Sequence, residues 1–417
     1  MNQPPDPSTQ LRARTSAADV DTDMVEFAAH DGVLFAGPER ALAGRGLAQR
    51  IDLPPPWTDH ISEIPAALAA IGADIAPDAD PTSPGRGPVA FGALPFDTDA
   101  PATLVVPAEI RGQSHDGARW RTTLDPAAAA PVRPPRVELP GRSLPSRYEV
   151  AASTPAEAWC ELVVQVRARV RSGAIDKAVL ARRVTVSADG PIPLAAVLGE
   201  LRQSYPGCYL FSIEGFVGAS PELLVSRVGD VVRAHPMAGT IPHTGDPGTD
   251  AQRAAELLAS PKDRKEHQIT IDMVHDTLLP WCSYLDYQPS PSVVPMANVS
   301  HLASLVEGRL SSPAPAVTEM VAALHPTPAV CGSPRSAARA LILELEGLDR
   351  GRYAGPVGWV DRNGFGEWAV GIRSAEIEGR RAHLFAGVGV VADSDPLVEL
   401  AETRAKLKPL LTALIQP

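Results

Sequence analysis

The chain has 417 residues, of which 44% are hydrophobic and 21% are charged, an ordinary balance for a folded protein with a large core. Its formal net charge of −11 and its lack of a basic run argue against a broad nucleic-acid-binding surface. No apolar stretch reaches the roughly 18 residues of a membrane helix, and no signal peptide is recognisable, so we expect a cytoplasmic protein. The four cysteines have neither metal-ligand nor disulfide-framework spacing.

Residues 1–30 are expected to be a disordered tail, because the segment up to about residue 22 is polar and has no periodicity. Residues 31–145 are expected to form the N-terminal part of the fold, and strands are predicted at 33–37 and 88–96. This part ends in a Pro-rich run, 131–145, which is typical of an extended connection over the surface.

The next segment predicts a helix followed by an interior strand. Thr154 and Glu157 form a capping-box pattern before an apolar helical repeat, and Gly173 is expected to end the helix. The strand covers residues 176–186, yet it contains Lys177 and Arg182. A buried lysine needs an acidic partner or must lose its proton.

Lysine is scarce in this chain. Only five of the 38 lysine and arginine residues are lysine, so arginine supplies most of the surface charge. Since an ammonium can lose its proton when it is buried and a guanidinium cannot, a rare lysine can mark chemistry that needs proton transfer.

Several short strands are predicted between residues 208 and 234, and Glu222 falls between two of them, beside Pro221. An exposed turn residue and a functional acid are both compatible with this position. Gly239 and Thr240 follow the last of these strands, where they form either a backbone-amide anion cradle or a simple turn.

A helix with a capping signature at Ser260 carries Asp263 and Glu266 at i, i+3. Their stripe continues into apolar residues such as Met273, which is a poor arrangement for a solvated face. Carboxylates that point inward need a cation. From the residues alone, a solvated face and a cation site both remain open.

Residues 386–406 predict a strand of small residues followed by a helix that begins with a proline. Gly387 and Gly389 in the strand would let another group approach the backbone closely. Glu399, Glu402 and Lys406 share one face of the helix. Glu402 and Lys406 fit an ordinary surface ion pair, which contributes about 0.2–0.5 kcal/mol, or they face a site.

Two further residues have both an ordinary and a functional interpretation. A lone histidine such as His301 is more often structural than catalytic. Arg373 ends a predicted interior strand, and its planar guanidinium is suited to a carboxylate partner.

Together, nine segments resemble the chorismate-utilising enzymes, in particular their isochorismate synthase group. The segments occur in the family's order: IDKAVLAR (175–182), GASPELL (218–224), PMAGT (236–240), SPKDRKEH (260–267), HPTPAVCG (325–332), YAGPVGW (353–359), GIR (371–373), AGVGVV (386–391) and ETRAK (402–406). Each segment alone is weak, but nine in order are specific.

The resemblance implies an α/β fold with two large stacked antiparallel β-sheets and helices on the outside. Residues 146–417 would be the chorismate-binding catalytic region, joined to 31–145 as one unit. The family's Mg²⁺ ligands correspond to Glu266 and Glu402, and the acids behind them correspond to Asp263 and Glu399. Oxygen ligands suit Mg²⁺.

The resemblance also implies a reaction in which water replaces a hydroxyl group across the cyclohexadiene ring. Lys177, as a neutral amine, would deprotonate the water that attacks C2, and protonated Glu222 would release the C4 hydroxyl. Burial disfavours the charged forms of both residue types. The implied substrate-binding residues are Gly239, Thr240, His301, Ala329, Tyr353, Arg373, Gly387, Gly389 and Lys406.

Other members of the family make other products. Aminodeoxychorismate synthases carry a lysine where Ala238 stands, and anthranilate synthases lack a match to Lys177. Salicylate synthases share Lys177 and Glu222, eliminate pyruvate and usually carry a threonine where Ala329 stands. We therefore favour isochorismate as the product, with salicylate synthesis and a catalytically silent chorismate-binding homologue as alternatives.

The expected partner is chorismate alone, bound by a monomer that acts in menaquinone or siderophore biosynthesis. We expect neither nucleic acid nor a membrane as a partner.

Overall fold

The computed structural model describes residues 11–18, 21–29, 32–80, 82–126, 145–296 and 298–415. Its strands are β1 Leu11–Ala17, β2 Val33–Ala36, β3 Arg40–Leu53, β4 Gly72–Ile75, β5 Val89–Ala93, β6 Ala102–Ser114, β7 Arg119–Pro126, β8 Tyr148–Ala152, β9 Lys177–Ala188, β10 Tyr209–Ile213, β11 Phe216–Ser220, β12 Leu223–Val228, β13 Val231–His235, β14 Met237–Pro242, β15 Cys282–Tyr287, β16 Ser292–Pro295, β17 Val299–Ala303, β18 Val306–Leu310, β19 Gly332–Ser333, β20 Pro356–Asp361, β21 Gly366–Val370, β22 Ser374–Glu378 and β23 Arg381–Val390. Its α-helices are α1 Met24–Ala28, α2 Ile64–Ala69, α3 Ala156–Arg171, α4 Leu194–Ser204, α5 Pro247–Ala259, α6 Pro261–Leu278, α7 Val317–Leu324, α8 Arg335–Leu345 and α9 Pro396–Ile415. None of the helices in these ranges is long and apolar enough to cross a membrane.

Hydrogen bonds connect 20 of the strands into one network, and β14, β17 and β16 form a separate three-stranded sheet. The pairings are antiparallel except that β1 runs parallel to β4. The pairs β2–β10 and β5–β20 join the N-terminal part of the chain to the C-terminal part. The predicted α/β fold with large antiparallel sheets and helices is confirmed.

The long pair β9–β23 is the strand pair on which the site is built. It is in continuous register from Arg381 opposite Ser187 to Val390 opposite Ala178. Since successive side chains of a strand point to opposite faces, Lys177 and Arg182 leave β9 on different sides. Arg182 lies under the helices, where it donates a hydrogen bond of 3.1 Å to Thr403 of α9.

The N-terminal residues differ from the expected disordered tail. Residues 11–17 form β1, whose Thr15 is buried and bonds the hydroxyl of Thr122 in β7 at 2.8 Å, and residues 24–28 form α1. The expectation is wrong for these residues, because the partner strands β4 and β7 lie far along the chain and local composition does not reveal them. Residues 1–10, and the Pro-rich run up to residue 144, lie outside the described ranges.

The helix ends follow the sequence signals in part. Ser260 caps α6 by accepting a hydrogen bond of 3.3 Å from the Asp263 N–H, as predicted. The N-cap of α3 is Pro155, which has no side-chain acceptor, so the predicted capping box there is wrong. After α3, Gly173 adopts a left-handed φ of 77°, the conformation expected where glycine ends a helix.

Candidate active site

A cavity of about 230 Å³ lies among β14, β17, β23 and the first turns of α6 and α9. Every predicted site residue except Lys177 lines it: Glu222, Gly239, Thr240, Asp263, Glu266, His301, Ala329, Tyr353, Arg373, Gly387, Gly389, Glu399, Glu402 and Lys406. Two helices and several strands that are distant in sequence therefore bring these residues to one place.

Lys177 lies immediately behind the cavity wall. Its ammonium donates a hydrogen bond of 2.6 Å to Oε1 of Glu266, and its side chain is only 3% exposed. The buried lysine in the interior strand therefore has the acidic partner that its burial requires.

Gly389 makes room for that ion pair. A Cβ on Gly389 would lie 2.4 Å from Cε of Lys177 and 3.1 Å from Oε1 of Glu266. The close approach expected at this strand is therefore made by Lys177, a side chain of the neighbouring strand. At Gly387, a Cβ would meet the hydroxyl of Tyr353 at 3.0 Å.

Glu222 lies between β11 and β12 and is 3% exposed, so the interpretation as an exposed turn residue is wrong. Burial raises the pKa of Glu222 to about 8, although the Met237 N–H and the charges of Lys177 and Arg373 act in the opposite direction. Its carboxyl group is therefore largely protonated at neutral pH.

Four carboxylates from α6 and α9 face the cavity. Burial raises the pKa of Glu399 to about 7, and the nearby charge of Glu402 adds to the shift. The pKa of Asp263 is also raised, mainly by burial and further by Glu266. Burial is the largest single effect on Glu266 and would raise its pKa, but the charge and hydrogen bond of Lys177, together with the charges of Lys406 and Lys262, make the net shift downward. The four side chains therefore concentrate negative charge that a cation would offset.

Glu402 pairs with Lys406, and the pair is turned towards the cavity. The Lys406 ammonium lies 2.6 Å from Oε1 of Glu402 and donates a hydrogen bond of 2.9 Å to the Gly387 carbonyl. With side-chain exposures of 11% and 19%, this is a mostly buried ion pair, unlike the surface pair considered as one alternative.

The donor set fits Mg²⁺ in chemistry, because carboxylate oxygens are its preferred protein ligands. Within the described ranges, however, no three His, Cys, Asp or Glu side chains are arranged to hold a metal ion. Glu266 and Glu402, the two glutamates that the resemblance assigns to the metal, each form an ion pair with a lysine.

Arg373 supplies a cation without an acidic partner. Its Nη2 donates a hydrogen bond of 2.9 Å to Nε2 of His301, and no carboxylate of the described residues lies within 4.0 Å of its guanidinium. Nearby, Tyr353 stacks on Phe385 with ring centroids 5.1 Å apart. An unpaired guanidinium at a cavity is suited to an anionic ligand.

The sequence analysis did not single out several lining residues. They are Val179, Pro221, Met237, Lys262, Val330, Ile372 and Val398. Helical spacing could have found two of them, because Lys262 and Val398 lie four residues before Glu266 and Glu402. The apolar ones carry no chemical signal in the sequence.

Comparison with known proteins identifies the family. The family model described as chorismate binding enzyme matches residues 137–415. The chain belongs to the chorismate-binding enzyme family.

Relatives within this family are similar over nearly their whole length. Isochorismate synthase DhbC from Bacillus subtilis is 37% identical over 395 residues, covering 92% of this chain and 94% of that protein. Isochorismate synthase EntC from Escherichia coli K12 is 32% identical over 403 residues, covering 95% and 98%. The crystal structure of DhbC from Bacillus anthracis has a TM-score of 0.79 at 33% identity and covers 94% of this chain and 98% of that one. The chain is thus an enzyme of this family.

Proposed function

We propose that this enzyme converts chorismate into isochorismate in a Mg²⁺-dependent reaction. The observation that carries the proposal is that a lysine behind the cavity wall and a glutamate in that wall are each only 3% exposed. The same cavity holds an arginine that pairs with no carboxylate of the described residues. The similarity to relatives named isochorismate synthase supports this product.

Lys177 is the proposed base. As a free amine it takes a proton from a water molecule, whose oxygen forms a bond to ring C2. In the ion pair with Glu266 it is an ammonium and cannot accept a proton. The reaction therefore requires a state in which Lys177 has lost one proton and has become a neutral amine.

Glu222 is the proposed acid. Because its pKa is about 8, it carries a proton at pH 7 that it can give to the departing C4 oxygen. The C2–O bond forms, the two ring double bonds each move by one position, and the C4–O bond breaks. One water enters and one leaves, so the reaction is an isomerisation.

The anionic groups of chorismate have matching partners in the cavity. Arg373 and Tyr353 would bind the enolpyruvyl carboxylate, since no carboxylate of the described residues pairs with the guanidinium. Glu266 and Glu402 would hold Mg²⁺, which would bind the ring carboxylate and draw electron density from the ring. Lys406 and the backbone around Gly239 would complete the carboxylate sites.

Incubation of the purified enzyme with chorismate and Mg²⁺ tests the proposal, with chromatographic separation of isochorismate and salicylate and an assay for pyruvate. We expect isochorismate without matching pyruvate, and no product when EDTA replaces Mg²⁺. Pyruvate released in step with chorismate loss would favour salicylate synthesis. Tight chorismate binding without turnover would favour the silent homologue.

Two variants test the assigned roles. Lys177→Ala and Glu222→Gln should each lower kcat by about 10²–10⁴-fold, whereas Lys265→Met, an exposed lysine on the helix that carries Glu266, should keep full activity. Full isochorismate formation by either active-site variant would contradict the role assigned to that residue.

A further inference from the structure

His301 has a hydrogen-bond arrangement that determines its protonation state. It lies in β17, is 6% exposed, and stands opposite Thr240 of β14 in the three-stranded sheet. Nε2 of its ring is 2.9 Å from Nη2 of Arg373. A guanidinium has donors only, so the lone pair of Nε2 must accept this hydrogen bond.

The other ring nitrogen must then carry the proton. Nδ1 lies 3.0 Å from Oγ1 of Thr240 and 3.4 Å from the carbonyl oxygen of Gly239. The carbonyl can only accept, and the hydroxyl can accept as well, so both are suitable partners for an Nδ1–H. Gly239 has a φ of 80° at a bulge in β14, where a residue with a Cβ would be strained.

We propose that His301 is a positioning residue that stays neutral and holds the guanidinium of Arg373 in place for an anionic ligand. Its Nδ1–H tautomer is fixed by Thr240 and Gly239, and its Nε2 takes up one N–H of Arg373. The remaining N–H groups of the guanidinium stay free for a carboxylate. This role rests on the proposed function only for the identity of the carboxylate that Arg373 binds.

The charges around His301 favour the neutral ring. Burial holds the pKa of His301 well below its ordinary value, and the positive charges of Arg373 and Lys406 lower it further. The Gly239 carbonyl acts weakly in the opposite direction, and His243 is the other titratable neighbour. A proton on Nε2 would also place two cations in contact. His301 is therefore unsuited to donate a proton in the reaction.

This role differs from the one implied by the resemblance, which counted His301 among the substrate-binding residues. It also accounts for a half-buried arginine that has no acidic partner among the described residues. A neutral acceptor orients the guanidinium without cancelling its charge, whereas a carboxylate in the same place would neutralise the cation before any ligand arrives.

Histidine-selective ¹⁵N NMR on the full-length enzyme without substrate tests the protonation state directly. The resonance pair that disappears in His301→Gln should show the Nδ1–H tautomer and should not titrate between pH 5.5 and 8, a range set around the ordinary histidine pKa of about 6.5. An Nε2–H tautomer, or titration near pH 6.5, would overturn the proposal. This result does not depend on which reaction the enzyme catalyses.

Kinetics on two variants tests the positioning role. Gln can accept from Arg373 through its amide oxygen, so His301→Gln should raise KM by less than about 5-fold, while His301→Phe should raise it about 10- to 100-fold with kcat changed much less. A loss of kcat with KM unchanged in His301→Gln would contradict the role. If His301→Phe does not fold, the glutamine variant and the NMR result decide the question.

Discussion

The ammonium of Lys177 donates a hydrogen bond to Oε1 of Glu266 across 2.6 Å, with only 3% and 16% of the two side chains exposed. One residue is the proposed base and the other a proposed metal ligand, so the two functions are in direct contact. The hydrogen bond depends on the absence of a side chain at Gly389, which faces both residues.

Gly389→Ala should therefore displace Lys177 and lower kcat/KM by about 10²-fold or more, because the new Cβ would lie 2.4 Å from Cε and 3.0 Å from Nζ of the lysine. Steady-state kinetics on the folded variant measures the effect. Gly199→Ala is the matched control, since Gly199 lies in α4 with no atom within 4 Å of its added Cβ. It should keep full activity and gain about 0.4–1 kcal/mol of stability. Equal activity in both variants would contradict the contact.

Only part of the contact between Lys177 and Glu266 could be predicted from the sequence. The sequence predicted an interior strand with a buried lysine and a helix with inward carboxylates, because periodicity and capping are local signals. It could not predict that Lys177 meets Glu266, since 89 residues separate them and the pairing depends on strand register. Nor could it predict the hydrogen bond between His301 and Arg373, which joins β17 to the residue just before β22, 72 positions along the chain.

The same limit explains the error at the N-terminus. The polar sequence around Thr15 has the composition of a disordered tail, and pairing with β4 and β7 makes it a strand. Composition reports the average environment of a segment, whereas strand partners are set by the whole fold.

The pH dependence of kcat/KM should follow the protonation of the Glu222 carboxyl group. Its pKa of about 8 in the folded enzyme lies above its ordinary value, so the protonated form that the reaction needs is present below pH 8 and is lost as pH rises. We expect kcat/KM to fall about 10-fold per pH unit well above pH 8, as measured in constant-ionic-strength buffers. Glu222→Gln should lose activity throughout this range, and a wild-type rate that is flat up to pH 10 would rule out Glu222 as the acid.

The buried pair Glu346–Arg350 should stabilise the wall behind the cavity. Nε of Arg350 donates a hydrogen bond of 2.8 Å to Glu346, and other guanidinium nitrogens reach the carbonyls of Val179 at 2.7 Å and Val330 at 2.9 Å. Glu346 also accepts from the Ala181 N–H at 2.7 Å. Glu346→Gln leaves the arginine charge unpaired and should cost about 3–5 kcal/mol of unfolding free energy.

Urea denaturation measures this cost against a matched substitution in the last turn of α8, two residues before Glu346. Glu344 and Arg169 form an exposed ion pair, with Oε1 and Nη2 3.8 Å apart. Glu344→Gln removes this pair and should change the free energy of unfolding by less than about 0.5 kcal/mol. Similar losses in the two variants would show that the buried pair is not the source of the stability.

The central claim, that water attacks C2 while the C4 hydroxyl leaves, is tested most directly by turnover of chorismate in H₂¹⁸O, with mass spectrometry of the product at early conversion. The account predicts isochorismate that carries one ¹⁸O atom, located on the ring hydroxyl at C2, and no pyruvate. Isochorismate without ¹⁸O would contradict it, because the hydroxyl would then have moved within the substrate without the water that Lys177 is proposed to activate.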